Sequence, residues 1–189
     1  MEPSRRQATG WLLAICLGAA LRAPARAATI SADALLSGDD FCAALLAGIN
    51  SERVSLGLKP LARDARLTAA ARAQAGIMAN ARIMEHEIPG TPNFPARLRA
   101  ARARPRTAGE NILRDNLSRY DLGCAAVSAD LPHRLAQDVA TVSVPRWIGS
   151  AKHFANIANP RFRRAGGAFG IVAAAPDCGQ IYVAQVFAG

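Results

Sequence analysis

Ala168-Phe169-Gly170-Ile171-Val172-Ala173-Ala174 and Gln180-Ile181-Tyr182-Val183-Ala184-Gln185-Val186-Phe187 are the two strand-like runs of the chain's tail, with Pro176-Asp177-Cys178-Gly179 between them. The β-branched and aromatic residues suit a pleated surface, and the connecting residues have turn chemistry, so the pair reads as a β-hairpin. Apolar residues at successive positions, rather than alternate ones, predict a sheet covered on both faces. Everything upstream that has a period is helical. Helices first and a hairpin last predict an α+β sandwich, with no internal repeat.

Working back from the hairpin, Trp147 to Ala158 reads as a short helix ended by Asn159-Pro160, whereas Leu117 to Val144 shows no clear period. Arg97 to Arg104 reads as another short helix, stopped by Pro105, and the segment Pro89 to Pro95 reads as loop. Asp64 is placed to cap an Ala-rich helix from Leu67 to about Met84. Asp39 and Asp40 are placed to cap a helix with Phe41, Leu45 and Ile49 on its buried face, ending at Gly57.

The 189 residues, half of them hydrophobic, suit one ordinary domain and exclude a disordered polymer. Arg5 and Arg6 precede an apolar run from Trp11 to Leu21, and Ala25-Arg26-Ala27 offers a cleavage site, so residues 1–27 read as a signal peptide. That run is too short to span a bilayer, which takes about 20 residues. General secretion suits the segment better than a twin-Arg route, and Cys16, preceded by bulky Ile15, does not suit lipidation. The expected organisation is a lead-in over 28–41 and a domain over 42–189, in a soluble protein of the periplasm or cell exterior. In an oxidising compartment, Cys42, Cys124 and Cys178 predict one disulfide and one spare thiol. Of three pairings, Cys124 with Cys178 is favoured, because both lie near turn signals while Cys42 lies on a helix. Closing that loop stabilises by about 4 kcal/mol on the chain-entropy model.

Ile49-Asn50-Ser51-Glu52-Arg53, Gly57-Leu58-Lys59-Pro60-Leu61, His86, Arg97-Leu98, Gly109-Glu110-Asn111-Ile112, Trp147-Ile148-Gly149-Ser150 with His153 and Asn156, and Tyr182 to Phe187 follow one another in order. This ordered set resembles the bacterial branch of the CAP superfamily, the SCP-type domains of cysteine-rich secretory proteins, antigen 5 and plant pathogenesis-related proteins. The resemblance covers about residues 42–189 with an insertion near 115–144. It implies an α-β-α sandwich, a small antiparallel sheet between helices, and a shallow cleft lined by two histidines and acidic residues. The matching positions are His86, Glu110 and His153. Ser150 stands where many eukaryotic members have a second glutamate, which puts acid-base chemistry copied from the family in doubt.

Two imidazoles and a carboxylate are ligand types that bind zinc with a fourth position open, so His86, His153 and Glu110 are the candidate metal ligands and the candidate catalytic residues. Their spacing carries no metal motif, and the alternative is a hydrogen-bonded cluster fixing the loops. Asn111, Trp147 and Ser150 are candidate ligand-binding residues. Trp147 also suits a core or cleft wall, Asn111 and Asn156 suit ties between loops, and Ser150 suits a helix cap better than a nucleophile for His153. Glu85 and Glu87 flank His86 as exposed carboxylates, and His133 reads as a solvated loop residue.

The chain carries 23 Lys and Arg against 14 Asp and Glu, a net charge of +9. Arginines 97, 99, 102, 104, 106, 161, 163 and 164 read chiefly as solvated surface. Nucleic acid is excluded as a partner, since no aromatics are interleaved to stack bases. Anionic lipid or envelope polymers fit the charge better. The function expected from the sequence is an exported binding module for a metal ion, a lipid or an envelope component. The alternative is a metal-assisted hydrolase of extracytoplasmic peptide or ester bonds.

Overall fold

The C-terminal hairpin is the middle of the sheet in the computed structural model, which describes residues 34–189. The segment read as a signal peptide and the start of the lead-in lie outside the described residues. The strands are β1 (Ala34–Leu36), β2 (Ala62–Arg63), β3 (Ala108–Asn116), β4 (Arg164–Val172) and β5 (Gln180–Ala188). The spatial order is β1-β4-β5-β3, antiparallel throughout, with β2 running parallel to the start of β4.

The hairpin is where the sequence predicts it, but β4 begins at Arg164 and ends at Val172 instead of spanning Ala168 to Ala174. Gly166 and Gly167 look like breakers in the sequence. They belong to the strand because a Cβ on Gly166 would lie 2.1 Å from the backbone nitrogen of Thr68, so only glycine lets the helix above come this close. A larger departure is β3, a nine-residue strand paired with β5 from Ala108↔Ala188 to Asn116↔Gln180. Its Glu, Asn, Arg and Asp residues hide it from any reading by strand propensity.

α1 (Asp39–Ser55) buries Phe41, Leu45 and Ile49 as expected. Its cap is Gly38, not Asp39 or Asp40, which lie in the first turn where carboxylates complement the helix dipole. α2 (Ala65–Ala81) is capped by Asp64, which accepts from the backbone of Arg66 and Leu67, and it ends at left-handed Arg82, short of the expected Met84. α3 (Phe94–Ala100) starts inside the expected loop and stops before Arg104. Asn93 caps it by accepting from Ala96 N at 3.0 Å, and Pro95 sits in the first turn, where its missing N–H has no partner to lose.

The stretch without period, 117–144, holds 3-10 turns at Leu117–Tyr120 and Cys124–Ala126, the short α4 (Leu131–Arg134), and most of α5 (Ala136–Ile148). Val139, Val144 and Trp147 of α5 are core residues, so much of the expected insertion packs as an ordinary layer helix. The single helix expected from Trp147 to Ala158 is two, because Gly149 and Ser150 break it and α6 (Ala151–Ile157) starts afresh. Cys124 and Cys178 are bonded, tying the Cys124–Ala126 turn to the β4–β5 connection, and Cys42 is free and buried.

Side chains at odd positions of β4 and β5, among them Phe169, Ile171, Ile181, Val183 and Phe187, pack on the α1 and α5 side. Even positions, among them Ala168, Tyr182, Ala184 and Val186, pack on α2 and α3. Helices therefore cover both faces of the sheet, as the unbroken apolar runs of the hairpin predict, and the molecule is an α+β sandwich. The edge formed by β3 is where the two helical layers leave the sheet accessible.

Candidate functional site

β3 has one sheet neighbour, β5. Thr107 and Gly189 exchange both backbone hydrogen bonds, at 3.4 and 3.0 Å, so odd residues of β3 bond to β5. Even residues therefore turn their C=O and N–H groups outward. Side chains of α5 and α6 close the carbonyls: Asn156 Nδ2 donates to Glu110 O (3.3 Å), Trp147 Nε1 to Ile112 O (3.2 Å) and Arg146 Nη1 to Arg114 O (3.3 Å). This protects the edge from pairing with another chain. The outward N–H groups of Ile112 and Arg114 take no acceptor among the described residues.

Glu110 projects from β3 toward α3, where its carboxylate is 3% exposed against a guanidinium, Arg97, that is 1% exposed. Arg97 Nη2 donates to both carboxylate oxygens, at 3.0 and 2.9 Å, and to His86 O at 3.3 Å, while Nη1 donates to Pro92 O at 2.9 Å. His86 Nδ1 lies 2.9 Å from Glu110 Oε1. A carboxylate oxygen held by a guanidinium accepts, so Nδ1 carries the imidazole proton and Nε2 is left as the acceptor on a half-exposed ring. Glu110 thus orients His86, and Arg97 orients Glu110.

His153 is on α6. Its Nδ1 is buried with no hydrogen-bond partner. Burial first, and then nearby His86, lower its pKa from the ordinary imidazole value, so the ring is neutral at pH 7. Its ring centroid is 6.4 Å from that of Trp147. Asn111 is wholly buried; its Nδ2 donates to His153 O at 3.2 Å and its Oδ1 accepts from Asn156 Nδ2 at 2.8 Å. Both asparagines are therefore ties that hold α6 to β3, the role the sequence offers for them beside ligand binding. Ser150 is the N-cap residue of α6 but makes no side-chain capping bond. Beside His153, Ser150, Trp147, Ile112 and Leu113 line a cleft of about 350 Å³, which Met84, Arg114 and Arg146 complete.

Within the trio of candidate ligands Glu110 hydrogen-bonds His86, whereas His153 Nδ1 has no hydrogen-bond partner. Among the described residues no group of three or more His, Cys, Asp and Glu is arranged to hold a metal ion. The carboxylate that would be the third ligand has both oxygens on Arg97, so the residues as arranged do not fit a three-ligand metal centre.

Arg97 is the site residue that the sequence misreads: it opens a run of arginines taken as solvated, and arginines 99, 102, 104 and 106 are indeed exposed. Its place beside Leu98, the buried residue of the same short helix, is the signal that sets it apart. Glu85 and Glu87 are exposed beside His86, as expected. Glu87 accepts from Phe94 N at 3.0 Å, and the Glu85 carbonyl accepts from Gln74 Nε2 at 2.6 Å, so both serve loop geometry. His133 is solvated as expected, 75% exposed, but lies on the short α4 instead of a loop, with Nδ1 2.7 Å from Asp40 Oδ2 on α1.

Residues 46–187 match the model of the cysteine-rich secretory protein family, CAP. No curated protein matches the sequence. Among solved structures, an extracellular protein containing an SCP domain from Bacillus anthracis superposes with a TM-score of 0.56 at 19% identity, covering 78% of this chain and 40% of that one. An outer surface protein of Borrelia burgdorferi superposes with a TM-score of 0.55 at 17% identity, covering 76% of this chain and 88% of that one. At these identities the likeness is one of fold.

Proposed function

Since the chain belongs to the cysteine-rich secretory protein family, we propose that it is an exported binding module whose cleft beside β3 holds a small ligand of the cell envelope. The observation that carries this reading is the engagement of Glu110: the one carboxylate of the trio is held by Arg97 and His86, while His153, Ser150 and Trp147 line a cleft with no carboxylate in its wall. Hydrolysis assisted by a metal needs a ligand set with an open position, and Glu110, buried with three of its acceptor sites taken by Arg97 and His86, is poorly placed to join one. A serine nucleophile needs a base within hydrogen-bond reach, and Ser150 makes no bond to His153.

Export is supported by the basic start, apolar run and small-residue site of residues 1–27. Among the described residues no helix is long and apolar enough to cross a membrane. The two similar structures are described as an extracellular and an outer surface protein. A separate groove of about 270 Å³ between α1 and α5, lined by Ala44, Ala47, Gly48, Ala140 and Val144 with Gln137 and Thr141, is a second place that would suit an apolar chain. A Cβ at Gly48 would meet Val144 at 3.0 Å, so these helices approach closely and leave a shallow apolar channel.

Calorimetric zinc titration together with turnover of p-nitrophenyl butyrate, run on the protein and on His86→Ala and His153→Ala, tests the reading. Neither stoichiometric zinc binding nor ester turnover above background is expected. Zinc-dependent turnover lost in both variants, with folding intact by circular dichroism, would replace the binding module by the hydrolase.

A further inference from the structure

The cleft beside His153 joins apolar side chains (Met84, Ile112, Leu113 and Trp147) to a smaller set of polar groups in which hydrogen-bond donors predominate. Arg114 and Arg146 stand in its wall, and Ser150 adds a hydroxyl. The outward N–H groups of Ile112 and Arg114 add two backbone donors, whereas the carbonyls of the same two residues are closed by Trp147 and Arg146. Closing acceptors while leaving donors open gives the strand edge a positive face. Arg114 makes no ion pair among the described residues, and its side chain shares a hydrogen bond with Tyr182 that leaves further donors for a ligand.

Charges on the neighbouring elements do not cancel this. Asp115 is the nearest carboxylate, 3.7 Å from Arg146 Nη1, but it lies outside the cleft wall. It already accepts from Arg119 Nε at 2.7 Å, Tyr120 Oη at 3.1 Å and Asn116 N at 3.0 Å. Glu110 is committed to Arg97, and Asp177 to Arg82. Beside the donors, the rim is apolar: Met84 lines the cleft at 40% exposure and Ile83, next to it, is 48% exposed. These are two of the few large apolar side chains the described surface leaves open.

We infer that the ligand of this cleft is an anion on an apolar stem, with a carboxylate or phosphate seated among Arg114, Arg146 and the N–H groups of Ile112 and Arg114, and the stem lying over Met84. Guanidinium and backbone donors converge on such oxygens through charge-assisted bonds, the strongest in the repertoire. A cleft of about 350 Å³ admits a headgroup and the first carbons of a stem and leaves the remainder outside. The inference rests on the binding-module reading of the same cleft and adds the sign and shape of what is bound.

Amide chemical-shift titrations of the protein with hexyl phosphate, hexanol and inorganic phosphate test it. Hexyl phosphate is expected to move the amides of Ile112, Leu113 and Arg114 and the Trp147 indole, with an affinity about tenfold above that of hexanol and of inorganic phosphate alone. Arg114→Gln and Arg146→Gln should each erase most of that preference, and Arg146→Lys should retain part of it, which separates lost charge from lost fold. Equal affinity for hexanol and hexyl phosphate at these amides would overturn the anion and leave the binding module standing. Equal affinity for inorganic and hexyl phosphate would overturn the stem. Shifts scattered over the exposed arginines, with the cleft amides still, would overturn both the inference and the reading beneath it.

Discussion

Arg53 and Arg97 are both buried, at 0% and 2% exposure, on opposite sides of the sheet, and they keep their charge in different company. Arg53, on α1, donates to four backbone carbonyls: Lys59 (3.0 Å), Ile157 (2.6 Å), Asn159 (3.1 Å) and Phe162 (3.3 Å). Two of these lie at the end of α6, where the helix dipole is negative. Arg97 donates to two carbonyls but gives its best geometry to Glu110. The first arginine stitches loops to a helix and has no partner that could do chemistry. The second removes a carboxylate from the cleft and fixes a histidine, so the same residue type is a clamp in one layer and a determinant of the site in the other.

Substitution should separate the two. Arg53→Met strands four carbonyls at once, and a loss of roughly 5 kcal/mol in urea unfolding is expected, since each unmade buried bond costs about 1–3 kcal/mol and the effects overlap. No second substitution can restore it, because every partner is backbone. Arg97→Met leaves a buried Glu110 charged with only the His86 hydrogen bond, with an expected loss of roughly 3 kcal/mol. The double variant Arg97→Met/Glu110→Leu should recover most of that loss, because replacing a buried ion pair with apolar groups is often neutral. If the double variant were no more stable than Arg97→Met, Arg97 would be a clamp of the Arg53 kind and the comparison would fail.

The two arginines also mark where the sequence was readable. Helices with strong caps and clear periods, such as the one opened by Asp64, and strands with continuous apolar runs, such as Gln180 to Ala188, announce themselves because local preference and tertiary role agree. β3 does not, because an edge strand that carries site residues exchanges apolar alternation for Glu110, Asn111, Arg114 and Asp115. α5 is hidden differently: Pro145 lies inside it and its buried face begins within a stretch of irregular turns. His86, Glu110 and His153 were found through an ordered set of short motifs, which no spacing rule supplies. Arg97 carried no mark beyond its neighbour Leu98, since burial of a charge depends on a partner far along the chain.

A finer test addresses what Arg97 does through Glu110. In Glu110→Gln the side chain keeps its shape but has one oxygen in place of two. Arg97 Nη2 must keep that oxygen, so the amide nitrogen turns toward His86 and meets Nδ1 as a donor. His86 should then move its proton to Nε2, visible in imidazole nitrogen shifts, at a cost to stability of about 2 kcal/mol. An unchanged tautomer would mean that the loop, not Glu110, holds the ring, and the chain of orientation from Arg97 would stop at the carboxylate.

The smallest effect belongs to His153, which no carboxylate compensates. Its folded pKa is lowered by burial and by His86, so the unfolded chain takes up a proton at higher pH than the folded one. The stability linked to this residue is therefore complete above the unfolded value of about 6.5 and is lost as pH falls through the lower folded value. Melting curves between pH 7.5 and 5 should show a decline that is shallower in His153→Gln, the difference between the two proteins isolating this ring from the other groups that titrate in the range. A steeper decline in the variant would mean that protonated His153 is stabilised in the folded protein. An acceptor would then have to face its buried Nδ1, against the donor-lined cleft that β3, Arg114 and Arg146 build around it.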